Sequence, residues 1–249
     1  MRPRLTRRMQ AIAALEILYK MSRHRTAEEV KKHHIESMGE ELGTIFHVLW
    51  SEVAWIYTKW NQYVELFGTK PSRIALLNDA ASLFFRIIQD SLFEDILLHI
   101  ARLTDHPKSV GKPNLTIRRL PTLVVDKELG ANISELIEIT IQKADFCRDW
   151  RNRRIAHKDL TLTLNKGAEP LKSASREEVK AALDAIAAVL NAVAIHYMDT
   201  SIGFEGIPSL NGAESLLYVL DDGLQVEKER KERLKAVKYR PDDHKTRDL

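Results

Sequence analysis

The stretch SREEVKAALDAIAAVLNAVAIHY, residues 175–197, decides the fold class. Val179, Leu183, Ile186, Leu190, Val193 and Tyr197 recur at alternating four- and three-residue steps, which line one face of an α-helix. Ser175 with Glu178 three residues later is a capping-box pattern that places the helix start. Toward the N-terminus the same period returns twice. It runs through Met38, Leu42, Ile45, Leu49, Val53, Ile56, Trp60, Val64 and Phe67, and then through Ile74, Leu77, Ala81, Phe84, Ile88, Leu92, Ile96 and Leu103. Gly68 and Pro71 punctuate the two, because glycine closes a helix and proline is tolerated in a first turn. An antiparallel hairpin of two long helices is expected. His106-Pro107 and Gly111-Lys112-Pro113 end the second helix. The fold class read from these periods is all-α.

Elsewhere the pattern is weaker. Asn114 to Gly130 reads as a connector interrupted by Pro121, and Asn132 with Glu135 marks a helix start. From there Ile133, Ile137, Thr140, Ala144, Cys147 and Trp150 keep one face. The TLTLN stretch at 161–165 alternates like a strand but is too short to build a sheet. Beyond Gly212 a last helix-prone segment is rich in Glu, Lys and Arg, and from Val226 onward, where few apolar residues remain, it is expected to be exposed and to fray into a tail rather than join the core.

Composition narrows the function classes. A net charge of +3 is too small to imply nucleic-acid binding by itself, although positive charge clusters at 2–8, 148–154 and 228–240. The single cysteine, Cys147, excludes an intrachain disulfide and a cysteine-rich metal site, and fits a reducing cytoplasmic compartment. The opening MRPRLTRRMQAIAALEILYK reads as an amphipathic helix rather than an export segment, since Glu16 interrupts a short apolar run. No run approaches the roughly 20 uninterrupted apolar residues of a membrane span, so a soluble protein with no membrane partner is expected.

Chemistry concentrates in DWRNRRIAHKDL, residues 149–160, where Arg151, Arg153 and Arg154, with Arg148 just before the stretch, accompany Asn152, His157 and Asp159. An arginine, a polar residue and a histidine close in space can cleave RNA without metal or cofactor. The 2′-hydroxyl attacks phosphorus, histidine moves a proton, and a guanidinium offers its planar fork to the phosphoryl oxygens. Ideal helix geometry opposes this. Six residues at 3.6 per turn set Arg151 and His157 roughly 120° apart. The long arginine reaches around, the helix distorts near its end, or a second subunit supplies the matching pair across a two-fold axis. Arg153, four residues before His157, is the fallback on a regular helix. The bland alternative is a solvated helix end whose cations favour the C-terminal dipole. Arg102 and Asp105 are read as an ion pair tying the second helix to its connector, and the histidines outside the motif as incidental.

RNRRIAH at 151–157 resembles the R-x4-6-H motif of the HEPN superfamily. Together with FFRIIQDSLFEDILLHIARLTDHP at 84–107, it is similar to the abortive-infection branch of that superfamily. The resemblance covers about residues 37–200. It implies a HEPN-like helical domain there, flanked by a basic helical extension over 1–36 and a C-terminal helix and charged tail over 201–249. It further implies a homodimer with paired motifs and metal-independent endoribonuclease activity in phage defence or as a toxin, with a cognate antitoxin as a candidate partner. Arg151 and His157 match the catalytic pair and Asn152 the polar second position. Arg148, Arg153 and Arg154 are candidates for RNA binding and Asp159 for orientation. Many HEPN domains are not nucleases, so the alternative is a module that binds RNA, a nucleotide or a partner protein.

Overall fold

Capping governs where the helices begin. In a computed structural model describing residues 26–205, 211–238, 240 and 243, Thr26 accepts from the Glu29 backbone N–H at 3.2 Å, and the Glu29 carboxylate accepts from the Thr26 N–H at 2.8 Å. This capping box opens α1 (Ala27–Met38). Of the N-terminal extension expected over 1–36, residues 1–25 lie outside the described ones. Gly39, at φ +84, ends α1, and α2 (Glu40–Phe67) starts immediately after it.

The chain divides between His47 and Val48 into two compact units. In the first, α1 lies against the start of α2. Gly43 permits the approach, because a Cβ there would come within 2.6 Å of the His34 carbonyl oxygen and the Ile35 Cα. His34 is buried edge-on to Phe46, with ring centroids 5.0 Å apart, and lies 5.4 Å from His47. Burial, aided by repulsion from His47 and His33, lowers the His34 pKa from 6.5 to about 4.

The second unit holds the expected hairpin. From Val48 onward α2 runs antiparallel to α3 (Pro71–Leu103), as three pairings show. Lys59 meets Asp95 at 2.6 Å, Glu52 meets His99 at 2.7 Å, and the Tyr63 and Phe93 rings lie 5.4 Å apart. Leu49, Val53, Ile56 and Trp60 are buried as their spacing requires. Helix α3 departs from expectation at Ala81, whose φ −165 and ψ 73 break the helix into two phases. Beyond the break Phe85 is buried instead of Phe84, while Leu83, Phe84 and Ile87 stand 74%, 57% and 54% exposed.

After α3, a two-residue hairpin pairs β1 (Lys108–Ser109) with β2 (Lys112–Pro113), and a 3-10 turn at Ile117–Arg119 leads into α4 (Leu120–Leu123). The next helix, α5 (Lys127–Lys143), begins earlier than Asn132 because Asp126 caps it, accepting from the Leu129 N–H at 2.8 Å. A break at Ala144 separates it from α6 (Asp145–Trp150). A one-turn π-helix comes next at Arg151–Ile155, and then α7 (Leu160–Thr163) occupies most of the stretch that alternated like a strand. Asp159 overrides that alternation by capping α7 through the Leu162 N–H at 2.9 Å.

Helix α8 (Arg176–Met198) starts at the expected capping box and packs extensively against α5. Ala182, Ala185, Ala187 and Ala194 are buried beside Val179, Leu183, Ile186, Leu190 and Val193, so the helix is enclosed on more than one face. Its length and mean hydropathy of 1.6 suffice for a membrane span, but half of that window is already buried by the protein. The last helix, α9 (Ala213–Lys235), is anchored at its start, where Ala213 and Leu217 join Leu66, Leu77 and Phe85 in a small core, while none of its residues from Val226 to Lys235 is buried. Among the described residues the protein is all-α apart from the β1–β2 pair.

The first unit lends itself to two measurements. Gly43→Ala is expected to destabilise the α1–α2 contact by about 1–3 kcal/mol, read by urea unfolding or by amide exchange over residues 27–47. Between pH 6.5 and about 4, His34 binds fewer protons folded than unfolded. Its contribution is therefore full above pH 6.5 and lost as pH falls through that window. Exchange protection of α1 measured against pH should show this sign, and His34→Phe should flatten the dependence.

Candidate functional site

The motif sits where regular helix gives out. Helix α6 passes at Arg151 into the π-turn, in which the Ala156 N–H donates to the Arg151 carbonyl at 2.8 Å, five residues apart. The Asp159 N–H then bonds the Arg153 carbonyl at 3.0 Å, and α7 starts. His157 lies beyond the last helical residue, Ile155, so the ideal-helix angle between it and Arg151 does not apply. The helix does distort near its end, which is one of the three arrangements the spacing left open. His157 is exposed, with no side-chain partner among the described residues.

Each motif arginine has a different fate. Arg151, with a side chain 25% exposed, donates Nε to Asn152 Oδ1 at 3.0 Å and Nη1 to the Asp105 carboxylate. Arg148 places Nε 3.9 Å from the other Asp105 oxygen and donates Nη2 to the Thr104 carbonyl at 3.2 Å. Asp105 is thus shared by two motif arginines. The expected Arg102–Asp105 ion pair does not form, because residues distant in sequence bring Arg148 and Arg151 onto that carboxylate. No sequence spacing across more than forty residues would signal this contact.

Arg153 is tied into the next loop. It bonds the carbonyls of Glu169 and Pro170, contacts Asp149 at 3.3 Å and reaches Asp159 at 3.7 Å. Asp159 is held below the usual carboxylate range chiefly by the Leu162 N–H, with Arg153 adding to the effect. Arg154, 49% exposed, pairs with Glu94 at 2.8 Å and lies 5.3 Å over the Trp150 ring. Trp150 is in turn fixed by its indole N–H to the Lys172 carbonyl at 2.8 Å and by Phe93 edge-on at 5.9 Å. It serves packing, as its place on the α6 face suggested.

Two concavities flank this arrangement. One, of about 490 Å³, is lined by Glu94, Arg153, Arg154, Lys158 and Thr163. The other, of about 400 Å³, is lined by Glu52, His99, Arg102, Asp105 and Asn114. His99 is not incidental: its Nε2 meets Glu52 at 2.7 Å, yet burial keeps its pKa below the ordinary value despite that carboxylate. Among the described residues, no group of three or more His, Cys, Asp or Glu side chains is arranged to hold a metal ion. Cys147 is fully buried and its thiol is pushed up by burial, which keeps it out of nucleophilic chemistry at neutral pH. Arg151 and the exposed His157 have the functional groups for phosphoryl charge stabilisation and proton transfer.

Comparison with curated proteins and with solved structures returns no match. A family model does match: the HEPN-type model described as AbiU2 covers residues 39–208, which include both long helices of the hairpin and the whole motif. The chain therefore belongs to the AbiU2 family of HEPN-type abortive-infection domains.

Proposed function

We propose that this protein is a metal-independent endoribonuclease acting in phage defence by abortive infection or as the toxin of a toxin–antitoxin pair, working on cytoplasmic RNA without a membrane or cofactor. The observation that carries this reading is the arrangement at the π-turn, where Arg151 is held by Asp105 and Asn152 while His157, six residues on, is exposed and has no side-chain partner among the described residues. In this mechanism the 2′-oxygen attacks phosphorus as His157 accepts or relays its proton. Arg151 stabilises charge on the non-bridging oxygens, and the 5′-oxygen leaves as a hydroxyl once protonated. The products are a 2′,3′-cyclic phosphate and a 5′-hydroxyl. Arg154 and Lys158, beside the larger concavity, are the cations best exposed to hold flanking phosphates. Arg148 and Arg153 serve mainly to fix the turn.

A homodimer completes the proposal. Leu83 and Ile87 occupy one side of α3 after its break, and Asp90 and Glu94 continue that side at helical spacing. Glu94 holds Arg154, so a second copy seated on the apolar part of this face would bring its own motif toward the first. The intramolecular pairing of Arg148, Arg151, Arg153 and Arg154 favours a second reading, in which the domain binds RNA, a nucleotide or a partner such as an antitoxin without cleaving.

Purified protein incubated with RNA and EDTA is expected to give fragments ending in 2′,3′-cyclic phosphate. Arg151→Ala and His157→Ala are each expected to lower the rate by about 10²-fold or more. Circular dichroism on each variant guards against loss of fold. Full activity in both variants would refute the mechanism, while tight RNA binding without cleavage by the wild type would select the second reading.

A further inference from the structure

We propose that Asp105 is a positioning residue, which sets the direction of the Arg151 guanidinium before RNA arrives; the inference rests on the nuclease reading above and deepens it. Asp105 is itself fixed. It comes directly after the C-cap residue Thr104, whose hydroxyl donates to the Ile100 carbonyl at 3.0 Å. The loop after it is pinned by Asn114, which donates its side-chain amide to the His106 carbonyl and its backbone N–H to the Pro107 carbonyl, both at 2.8 Å. A carboxylate anchored in this way acts as a fixed point rather than as a mobile counter-ion.

Donor counting gives the consequence. A guanidinium has five N–H groups in one plane. In Arg151 the Nε–H is taken by Asn152 and one Nη1–H by Asp105, both within the protein. Together with the covalent link at Nε, these two bonds restrain the plane and heading of the guanidinium. Three N–H groups, one on Nη1 and two on Nη2, are left without a partner among the described residues and can be offered to phosphate oxygens. Charge also favours positioning over masking. One carboxylate lies between two guanidiniums, Arg148 and Arg151, so the cluster keeps a net positive charge while the repulsion between these two cations, three residues apart, is relieved. Without Asp105 the two would splay, and Arg148 would keep only its bond to the Thr104 carbonyl.

A positioning role has a kinetic signature distinct from that of a binding role. Displacing a catalytic group by about 1 Å costs up to about 10²-fold in rate, whereas ground-state affinity is set by all the phosphate contacts together. The test compares full-length wild type with Asp105→Ala and Asp105→Asn in three measurements. These are single-turnover cleavage of an RNA, affinity for the same RNA with 2′-O-methyl groups throughout, and NMR of the arginine Nη protons, which resolve separately only where hydrogen bonding slows rotation about Cζ–N.

Asp105→Ala is expected to cleave about 10–100-fold more slowly while binding the uncleavable RNA within about 3-fold of wild type. Asp105→Asn, which keeps an acceptor but loses the charge, should recover part of the rate. The slowed Arg151 Nη signal, identified by its absence in Arg151→Lys, should vanish in Asp105→Ala. Cleavage at or above the wild-type rate in Asp105→Ala would overturn the proposal, as would affinity falling in step with rate or an unchanged Arg151 signal. If the wild type cleaves no RNA, the nuclease reading fails, and the NMR comparison alone then decides whether Asp105 holds Arg151.

Discussion

One carboxylate joins the two halves of the motif's surroundings. Asp105 lies just past the end of α3, and Arg148 and Arg151 lie on either side of the junction between α6 and the π-turn. These segments are more than forty residues apart, and the apolar packing that brings them close carries no directional information of its own. The ion pairs and the Arg148 bond to the Thr104 carbonyl supply that direction. They are partly exposed, so their contribution to stability is modest and screened by salt. Their value lies in geometry: they hold a cationic turn in one arrangement at the rim of two concavities.

Packing elsewhere supports that turn from behind. Helices α5 and α8 pack extensively against each other, and four alanines of α8 are buried among its larger apolar residues. On the other side Phe93 meets Trp150 edge-on, Arg154 lies over the Trp150 ring, and Glu94 holds Arg154. The aromatic rings nearest the motif are thus committed to keeping α3 and the turn in register rather than to stacking on bases. A nearly dry His99 paired to Glu52 does the same for the hairpin, at the cost of a ring that burial keeps from charging.

Much of this was legible in the sequence wherever the information was local and periodic. The hairpin, the capping box at Ser175 and the buried face from Ile133 to Cys147 come from spacing alone. Local rules failed where a single residue changed the phase. The break at Ala81 has no glycine or proline to announce it, and it moved burial from Phe84 to Phe85. Asp126 begins a helix that the Asn132–Glu135 pattern placed later, and Asp159 begins one where the residues alternate like a strand, because a cap acts through one hydrogen bond and leaves no periodic trace. At the site, Arg151, Asn152 and His157 could be named from the motif, but the partner of Arg151 could not. Asp105 was visible only as a charge near a helix end, and the choice between Arg102, Arg148 and Arg151 as its partner is made by tertiary packing.

The π-turn also bears on how such a motif can vary. On an unbroken helix every inserted residue swings all later residues by about 100°, so a catalytic pair carried there tolerates no change in spacing. His157 is spared this constraint because regular structure stops at Ile155 and resumes only at the Asp159 cap. Between those two anchors the histidine hangs on a short leash rather than a rod. One residue more or fewer would alter slack, not heading, so the spacing between Arg151 and His157 is less constrained here than on a continuous helix.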